Sequence, residues 1–455
     1  MAASSDGVML SQDECRRLFG AVQQAAASLG ASDVEALFGA HCAALTRFAN
    51  NTIHQNVAEQ DRWLSVRVIV DRRTARATTN RLDADSIRGA VEQALALARS
   101  STPNSDLLPL PEPSLISLTK RFDEITAAAT PAHRGQAVAE AIRIVESAGQ
   151  TAAGIYSTGQ SIEAIFNSRG VSAWHAETMA QFSITAMAGD SSGWAKASAV
   201  SHSAIDPAAL ARSASEKARL SNNPQEIAAG RYTVILEPAA VLDLVGQMFG
   251  DFSATSVNDS RSFLTDRLGT KLFGDNIDIS DDVAHPLQAG VPFDGEGVPR
   301  RKLMLVDGGV PRELAYSRSS ARRAGVEPTG HGFPLPNEVG EAPLNIVIAG
   351  GSTSVDEMIS STERGVLVTR LWYIREVEPY DKIMTGMTRD GTFFIEDGRV
   401  TRGLRNFRFN QGIIELLCHV EALSPAVRAS GEETFDMVVP AMKVANFNFT
   451  EVTRF

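Results

Sequence analysis

The first half of the chain repeats itself, and the repeat sets most of what it can fold into. Residues 11–29 (SQDECRRLFGAVQQAAASL) carry apolar side chains at helical spacing. Strand-like runs follow, notably 63–70 (WLSVRVIV), and a helix is predicted over 85–99. Residues 131–148 begin the series again: a helix, strand-like runs that include 181–188 (QFSITAMA), then a helix opened by Asp206-Pro207 and running through Arg219. Asp as N-cap and Pro in the first turn are start signals. Trp63 and Phe182 occupy matching places, as do Ile87 and Leu210. Each copy has one helical face and one sheet face to bury, which predicts two α–β–α units, 1–102 and 115–222. The Pro-rich stretch 101–114 (STPNSDLLPLPEPS) connects them.

Past the polar stretch 221–230, RYTVILEP reads as a strand followed by a helix at about 238–250. The remainder is mainly β. Asp307-Gly308-Gly309, Asp390-Gly391 and Asp397-Gly398 each separate strand-like runs, as hairpin turns do. One helix interrupts it, 353–362, capped by Ser352 and stopped before Gly365. VANFNFTEV (444–452) alternates like a final strand. The expected fold class is α+β, a duplicated α/β N-terminal domain (1–225) followed by a mainly antiparallel β C-terminal domain (226–455).

A chain of 455 residues is too long for one compact core. Its net charge of −11 argues against a grip on nucleic acid, which needs a basic face. The Arg pairs 300–301 and 322–323 are isolated and read as solvated surface. Cys15, Cys42 and Cys418 make neither a disulfide framework nor a CxxC pair, which fits a reducing cytosol. MAASSDGVMLSQDE has no basic start and no sustained apolar stretch, so no signal peptide is expected. No apolar run is long enough to span a membrane. The expectation is a cytoplasmic protein with neither nucleic acid nor membrane as partner.

Several motifs invite chemistry. IAGGSTS (348–354) departs from the G-x-S-x-G elbow at Ser354. Read as a strand, glycine turn and helix start, it offers N–H groups near Ser352 and Thr353 that suit a carboxylate, beside plain capping by Ser352. His331 sits between glycines in TGHG (329–332), a place where histidine is commonly structural or solvated. PFDGEG brings Asp294 and Glu296 two residues apart, which tight-turn chemistry explains equally well. Cys418-His419 cannot form a dyad, because neighbours do not face each other on a strand or on a helix. A buried thiol beside a satisfied histidine is expected. The aromatics of 366–377 and 390–409 read as core or interface packing.

Taken together, PFDGEGV (292–298), DGGVPRELAYSRSSARRAGVEPTGHG (307–332) and IAGGSTS resemble the TldD/PmbA peptidase family, and the likeness covers 232–455. The duplicated units fit that family's N-terminal domain in pattern. In this family TldD subunits are zinc peptidases with an HExxxH helix and a distal cysteine ligand; TldE/PmbA subunits lack the metal and pair with TldD. The resemblance sets Gly246, Gln247 and Asp251 at the His, Glu and His positions, and VRASGEETF (427–435), near Ser430, at the cysteine. Zinc chemistry needs a tetrahedral N, S or O donor set and a carboxylate base. Glycine has no ligating atom, glutamine cannot act as the base, and no histidine lies between His202 and His285.

The chain is therefore similar to TldE/PmbA. What that implies is a subunit that binds no cofactor itself, with zinc in a TldD-like partner. The implied substrate is an unfolded peptide or small unstructured protein held in a shared cavity, with the His331 loop near the inter-subunit cleft. Two alternatives stay open: a free-standing hydrolase with a relocated site, and a homodimeric peptide-binding or regulatory protein.

Overall fold

The structure, a computed structural model, describes residues 9–31, 33–117 and 119–453; the first eight residues of the N-terminal stretch discussed above lie outside these. Helix α1 (Gln12–Ser28) starts at Ser11, whose hydroxyl accepts from Glu14 N–H while the Glu14 carboxylate accepts from Ser11 N–H. Strands β1 (Asp33–Ala49), β2 (Thr52–Val70) and β3 (Arg73–Thr79) and helix α2 (Ala84–Ser100) complete the first unit. After the single turn α3 (Glu124–Ala127), the elements α4 (Pro131–Ser147), β4 (Thr151–Asn167), β5 (Ser172–Ala188), β6 (Ser191–Ala199) and α5 (Pro207–Leu220) repeat it. The strand-like runs at 63–70 and 181–188 are only the second halves of β2 and β5.

The units share one sheet. β1 and β4 pair antiparallel from Glu35 opposite Asn167 to Phe48 opposite Gly154, giving the order β3-β2-β1-β4-β5-β6. The helices cover one face, where Phe38, Leu64, Val66 and Phe166 pack with Phe19 and Val91. The opposite face turns toward the C-terminal half through Leu37, Ile165, Ala173 and Phe293.

Register corrects one expectation. Counted from the two-residue turns Asp71-Arg72 and Gly189-Asp190, Phe182 corresponds to Leu64, not to Trp63. Leu64 and Phe182 are fully buried on the helix face, while Trp63 and its true counterpart Gln181 point the other way. With side chains alternating at period two, one residue separates core from cleft. Ile87 and Leu210 do match, each four residues past its Asp cap, Asp83 and Asp206.

In the second half, β7 (Gly230–Leu236) leads into α6 (Pro238–Val245), which tightens into a 3-10 stretch over Gly246–Phe252 instead of continuing as α-helix to 250. Then come α7 (Ala254–Asn258), β8 (Ile279–Asp281), β9 (Leu303–Asp307), β10 (Val310–Pro311), α8 (Arg318–Ala324), β11 (Ile346–Ile348) and α9 (Val355–Ser360). β12 (Arg364–Glu378), β13 (Ile383–Glu396), β14 (Arg399–Gly403), β15 (Phe407–Gly412) and α10 (Ile413–Cys418) follow. β16 (Val420–Leu423), β17 (Val427–Ala429), β18 (Met437–Val439) and β19 (Met442–Val452) end the chain.

Thus α9 is not the single helix expected here. Its cap is Ser354, not Ser352: Ser354 and Glu357 form the reciprocal pair that Ser352, with Val355 three residues on, cannot. Gly308-Gly309 and Asp397-Gly398 make the expected turns. Asp390-Gly391 does not; both residues have positive φ inside β13, where the register against β12 slips between Val368 and Arg370.

The strands form two sheets. One has the order β10-β9-β8-β11-β18-β17. In the other, β12-β7-β19-β15-β13 closes on itself through β12–β13 into a five-stranded barrel, with β14 and β16 attached. The pairings β7–β12 and β11–β18 are parallel, so this half is mixed and not wholly antiparallel. Helix α6 and the 3-10 stretch lie in its core with Leu244, Met248 and Phe252. Among the described residues, no helix is long and apolar enough to cross a membrane.

Candidate functional site

The structure brings together the two stretches that the resemblance paired: α6 with its 3-10 extension, and 427–435, which forms β17 and most of the loop leading to β18. The fit is close. A Cβ on Gly246 would stand 2.8 Å from Thr434 Oγ1 and 2.9 Å from Met437 Cε. One turn earlier, the buried Asp243 carboxylate accepts from Glu432 N–H at 3.0 Å and Glu433 N–H at 2.9 Å. Burial pushes its pKa up to about 6 against those N–H donors. Gln247 Nε2 donates to Asp243 O at 3.2 Å. Asp251 is buried; one oxygen accepts from Phe263 N–H at 3.2 Å and the other lies 2.5 Å from Lys382 Nζ, which also contacts Glu376 at 2.5 Å. Burial raises the Asp251 pKa in spite of Lys382.

Loop 430–436 is also held from the N-terminal sheet. Gln181 Nε2 donates to Ser430 Oγ at 3.0 Å, and Lys196 Nζ donates to Gly431 O at 2.5 Å and to Glu432 at 3.1 Å. The residues present do not fit a zinc ion: the space beside Gly246 is filled by Thr434 and Met437, and Asp251 is neutralised by a lysine. Among the described residues no cluster of three His, Cys, Asp or Glu side chains is arranged to hold a metal.

The other expected site residues separate into two places. Asp294 accepts from Glu296 N–H, Val298 N–H and Gly332 N–H at 2.7–2.9 Å, so the PFDGEG and TGHG loops are tied by one carboxylate. Glu296 accepts from Arg318 N–H at 3.0 Å, at the start of α8; burial, then the nearby Asp294, raises its pKa to about 7. His331 is buried. Its Nδ1 lies 2.9 Å from Thr329 Oγ1, and its Nε2 lies 3.1 Å from Asp281 Oδ1 without aligned hydrogen-bond geometry. Burial opposes ionisation of Asp281, but His331 and Arg300 outweigh it and hold the pKa low. These three residues thus knit loops together.

Ser352 and Thr353 stand apart from them. Thr353 N–H donates to Leu423 O at 3.2 Å and Gly351 N–H to Ser424 O at 2.9 Å, so this turn binds β16 and its following loop rather than presenting N–H groups to a ligand. Cys418 and His419 are exposed, contrary to the buried thiol expected, because α10 ends there at the surface; His419 Nδ1 caps back onto Glu415 O at 2.7 Å. Phe393, Phe394, Phe407 and Phe409 are core, while Tyr373 and Tyr380 are about half exposed.

A cleft of about 610 Å³ opens between the free face of the N-terminal sheet and the 288–300, 332–345 and 428–436 segments. Trp63, Glu163, Glu177 and Gln181 line it from the sheet; Asp294, Arg300, Phe333 and Arg428 line it from the other side. Of the predicted site residues only Asp294 borders it. Arg300, expected on the solvated surface, is half buried with Nε on Val291 O. Trp63 and Glu163 carry no motif, so nothing in the sequence marked them beyond period-two placement opposite the helix face. A larger recess of about 900 Å³ beside Trp174 lies under residues 114–116 and 119–122 and is mostly apolar.

Comparison with known proteins covers nearly all of the described chain. Residues 35–98, 106–222 and 229–451 match models of PmbA/TldA metallopeptidase domain 1, central domain and C-terminal domain, respectively. The PmbA homolog of Haemophilus influenzae, a metalloprotease, is 22% identical over 85% of this chain and 86% of its own length. A metalloprotease of Methanothermobacter thermautotrophicus is 24% identical over 44% of each chain. The metalloprotease PmbA of Escherichia coli O157:H7 is 28% identical over 33% of this chain and 32% of its own. In these last two relatives the match therefore spans less than half of the protein. The fold is that of TldE from Thermococcus kodakarensis, with a TM-score of 0.85 at 20% identity over 96% of this chain and 100% of that one. A Thermotoga maritima chain scores 0.86 at 20% identity with the same coverage.

Proposed function

Given that the chain belongs to the PmbA/TldD metallopeptidase family, we propose that it is the metal-free subunit of a two-component zinc peptidase, similar to TldE, acting on unfolded peptides. The observation that carries this reading is the packing at Gly246, where the side chains of Thr434 and Met437 fill the volume a ligating residue would need. Gln247 and Asp251 are engaged by Asp243 O and Lys382.

A TldD-type partner would supply the zinc and the general base. This chain's own contribution is physical. It closes part of a cavity against bulk water and holds an extended peptide in the 610 Å³ cleft, where main-chain hydrogen bonds make little sequence demand. The exposed aromatic tip of the β12–β13 hairpin, with Tyr373 and Tyr380, is the surface we assign to partner contact.

The test is cleavage of an unstructured peptide by this chain, by a TldD-type partner, and by their mixture, with co-purification measured in parallel. Cleavage and a stable complex are expected only on mixing. Cleavage by this chain alone, or no effect on the partner, refutes the proposal.

A further inference from the structure

The cleft contains a carboxylate with both oxygens unpartnered and open to solvent. Of its lining carboxylates, Glu177 accepts from Gly290 N–H at 3.1 Å, Asp294 from three N–H groups, and Asp436 from Ser198 at 2.5 Å and Arg428 at 3.2 Å. The Glu163 carboxylate forms no hydrogen bond or ion pair with any described residue, and it is exposed to the cleft. Cleft walls nevertheless crowd it. Desolvation, then Glu177, raises its pKa, opposed by Arg300 and His175. Arg300 Nη1 and Arg428 Nε also lack partners, but both atoms are sealed from solvent, so an anion does not reach them.

An aromatic wall stands beside Glu163. Gly39 pairs with Trp63 across β1–β2 and with Glu163 across β1–β4, which puts the three in one row on one sheet face. Adjacent strands lie about 4.8 Å apart, so Trp63 and Glu163 are separated by one strand. The indole bridges that gap: a Cβ on Gly39 would stand 2.4 Å from Trp63 Cε2, so the ring lies over the glycine. Any larger residue at Gly39 would push it away. A carboxylate beside an indole is the chemistry that recognises an ammonium group, through a charge-assisted hydrogen bond and a cation–π contact.

We propose that this cleft binds an ammonium group of an extended peptide, with the Glu163 carboxylate as counter-ion and Trp63 as its wall. The inference rests on the peptide-handling reading above and adds a substrate preference to it. The ammonium could come from a lysine side chain or from a free N-terminus; the chemistry is shared.

The experiment is calorimetric titration of the isolated full chain with three hexapeptides: a capped one with a single lysine, its norleucine analogue, and an uncapped one without lysine. One or both ammonium-bearing peptides should bind roughly tenfold tighter than the norleucine peptide. Whichever does so identifies the source. Glu163→Gln, which breaks no contact in the fold, should erase the preference, and Trp63→Phe should shrink it without erasing it. No binding by any peptide, equal binding of all three, or a preference that survives Glu163→Gln overturns the proposal. The readout uses this chain alone, so failure here is distinct from failure of the mixed-subunit cleavage assay.

Discussion

Replacing Gly246 by alanine sets two effects of opposite sign against each other. The residue has φ −56° and ψ −23°, a helical conformation in which alanine is ordinarily preferred over glycine by about 1 kcal/mol. Without crowding, the substitution should stabilise the protein. The structure places Thr434 Oγ1, Thr434 Cγ2 and Met437 Cε within 2.8–2.9 Å of the new Cβ, closer than real contacts allow. Overpacking of this kind costs about 1–3 kcal/mol, and a displaced Thr434 loses its 3.1 Å hydrogen bond to Leu242 O, about 1 kcal/mol more. Crowding should win by about 1–3 kcal/mol, read as a lower urea midpoint with unchanged slope. Thr434→Ala removes two of the three crowding atoms, so the double variant should be more stable than the sum of the singles by about 1 kcal/mol or more. A Gly246→Ala protein as stable as the parent, or strictly additive effects, would refute the account. A histidine at 246 would meet the same obstacle before any question of ligation arose.

Lys382 is buried against two carboxylates; Lys382→Met should cost about 3 kcal/mol in urea denaturation by stranding Asp251, and a loss under about 1 kcal/mol would show that water replaces the lysine. Burial lifts the Glu296 pKa from the ordinary glutamate value of about 4.5 to about 7, so the fold favours its protonated form. Its contribution is present below about pH 4.5 and is lost as pH rises through about 7, some 3 kcal/mol in all. Glu296→Gln should flatten that part of the stability profile relative to the parent, and parallel profiles would contradict the assignment.

The helices of the N-terminal half were legible because their caps are local: Asp83, Thr130 and Asp206 each accept an N–H three residues on. Register was not, since β-pairing is settled by partners far away in sequence. The sequence pattern alone therefore aligns Trp63 with Phe182 and hides its place in the cleft. Buried charge was equally hidden. Glu35, fully buried in β1, lies 3.3 Å from Arg67 and 2.5 Å from Arg76, and Arg76 Nε donates to Leu335 O at 2.7 Å across to the C-terminal half. Nothing local distinguishes those arginines from surface ones. Around the expected metal helix, the sequence showed which ligands were missing; it could not show that Thr434, Met437 and Lys382 fill and neutralise the space.

The β1–β4 seam has a consequence for how the chain is made. Phe48 finds Gly154 only after the linker, α4 and the start of β4 have left the ribosome. Until then β1 carries a long unpaired edge, the kind of surface on which other nascent chains can dock. Closing so large a loop raises the entropic barrier to folding far more than it lowers final stability. The two copies share one sheet, so neither can complete its hydrogen bonding before they meet, and a longer 101–114 connector is expected to slow that meeting more than it weakens the finished fold.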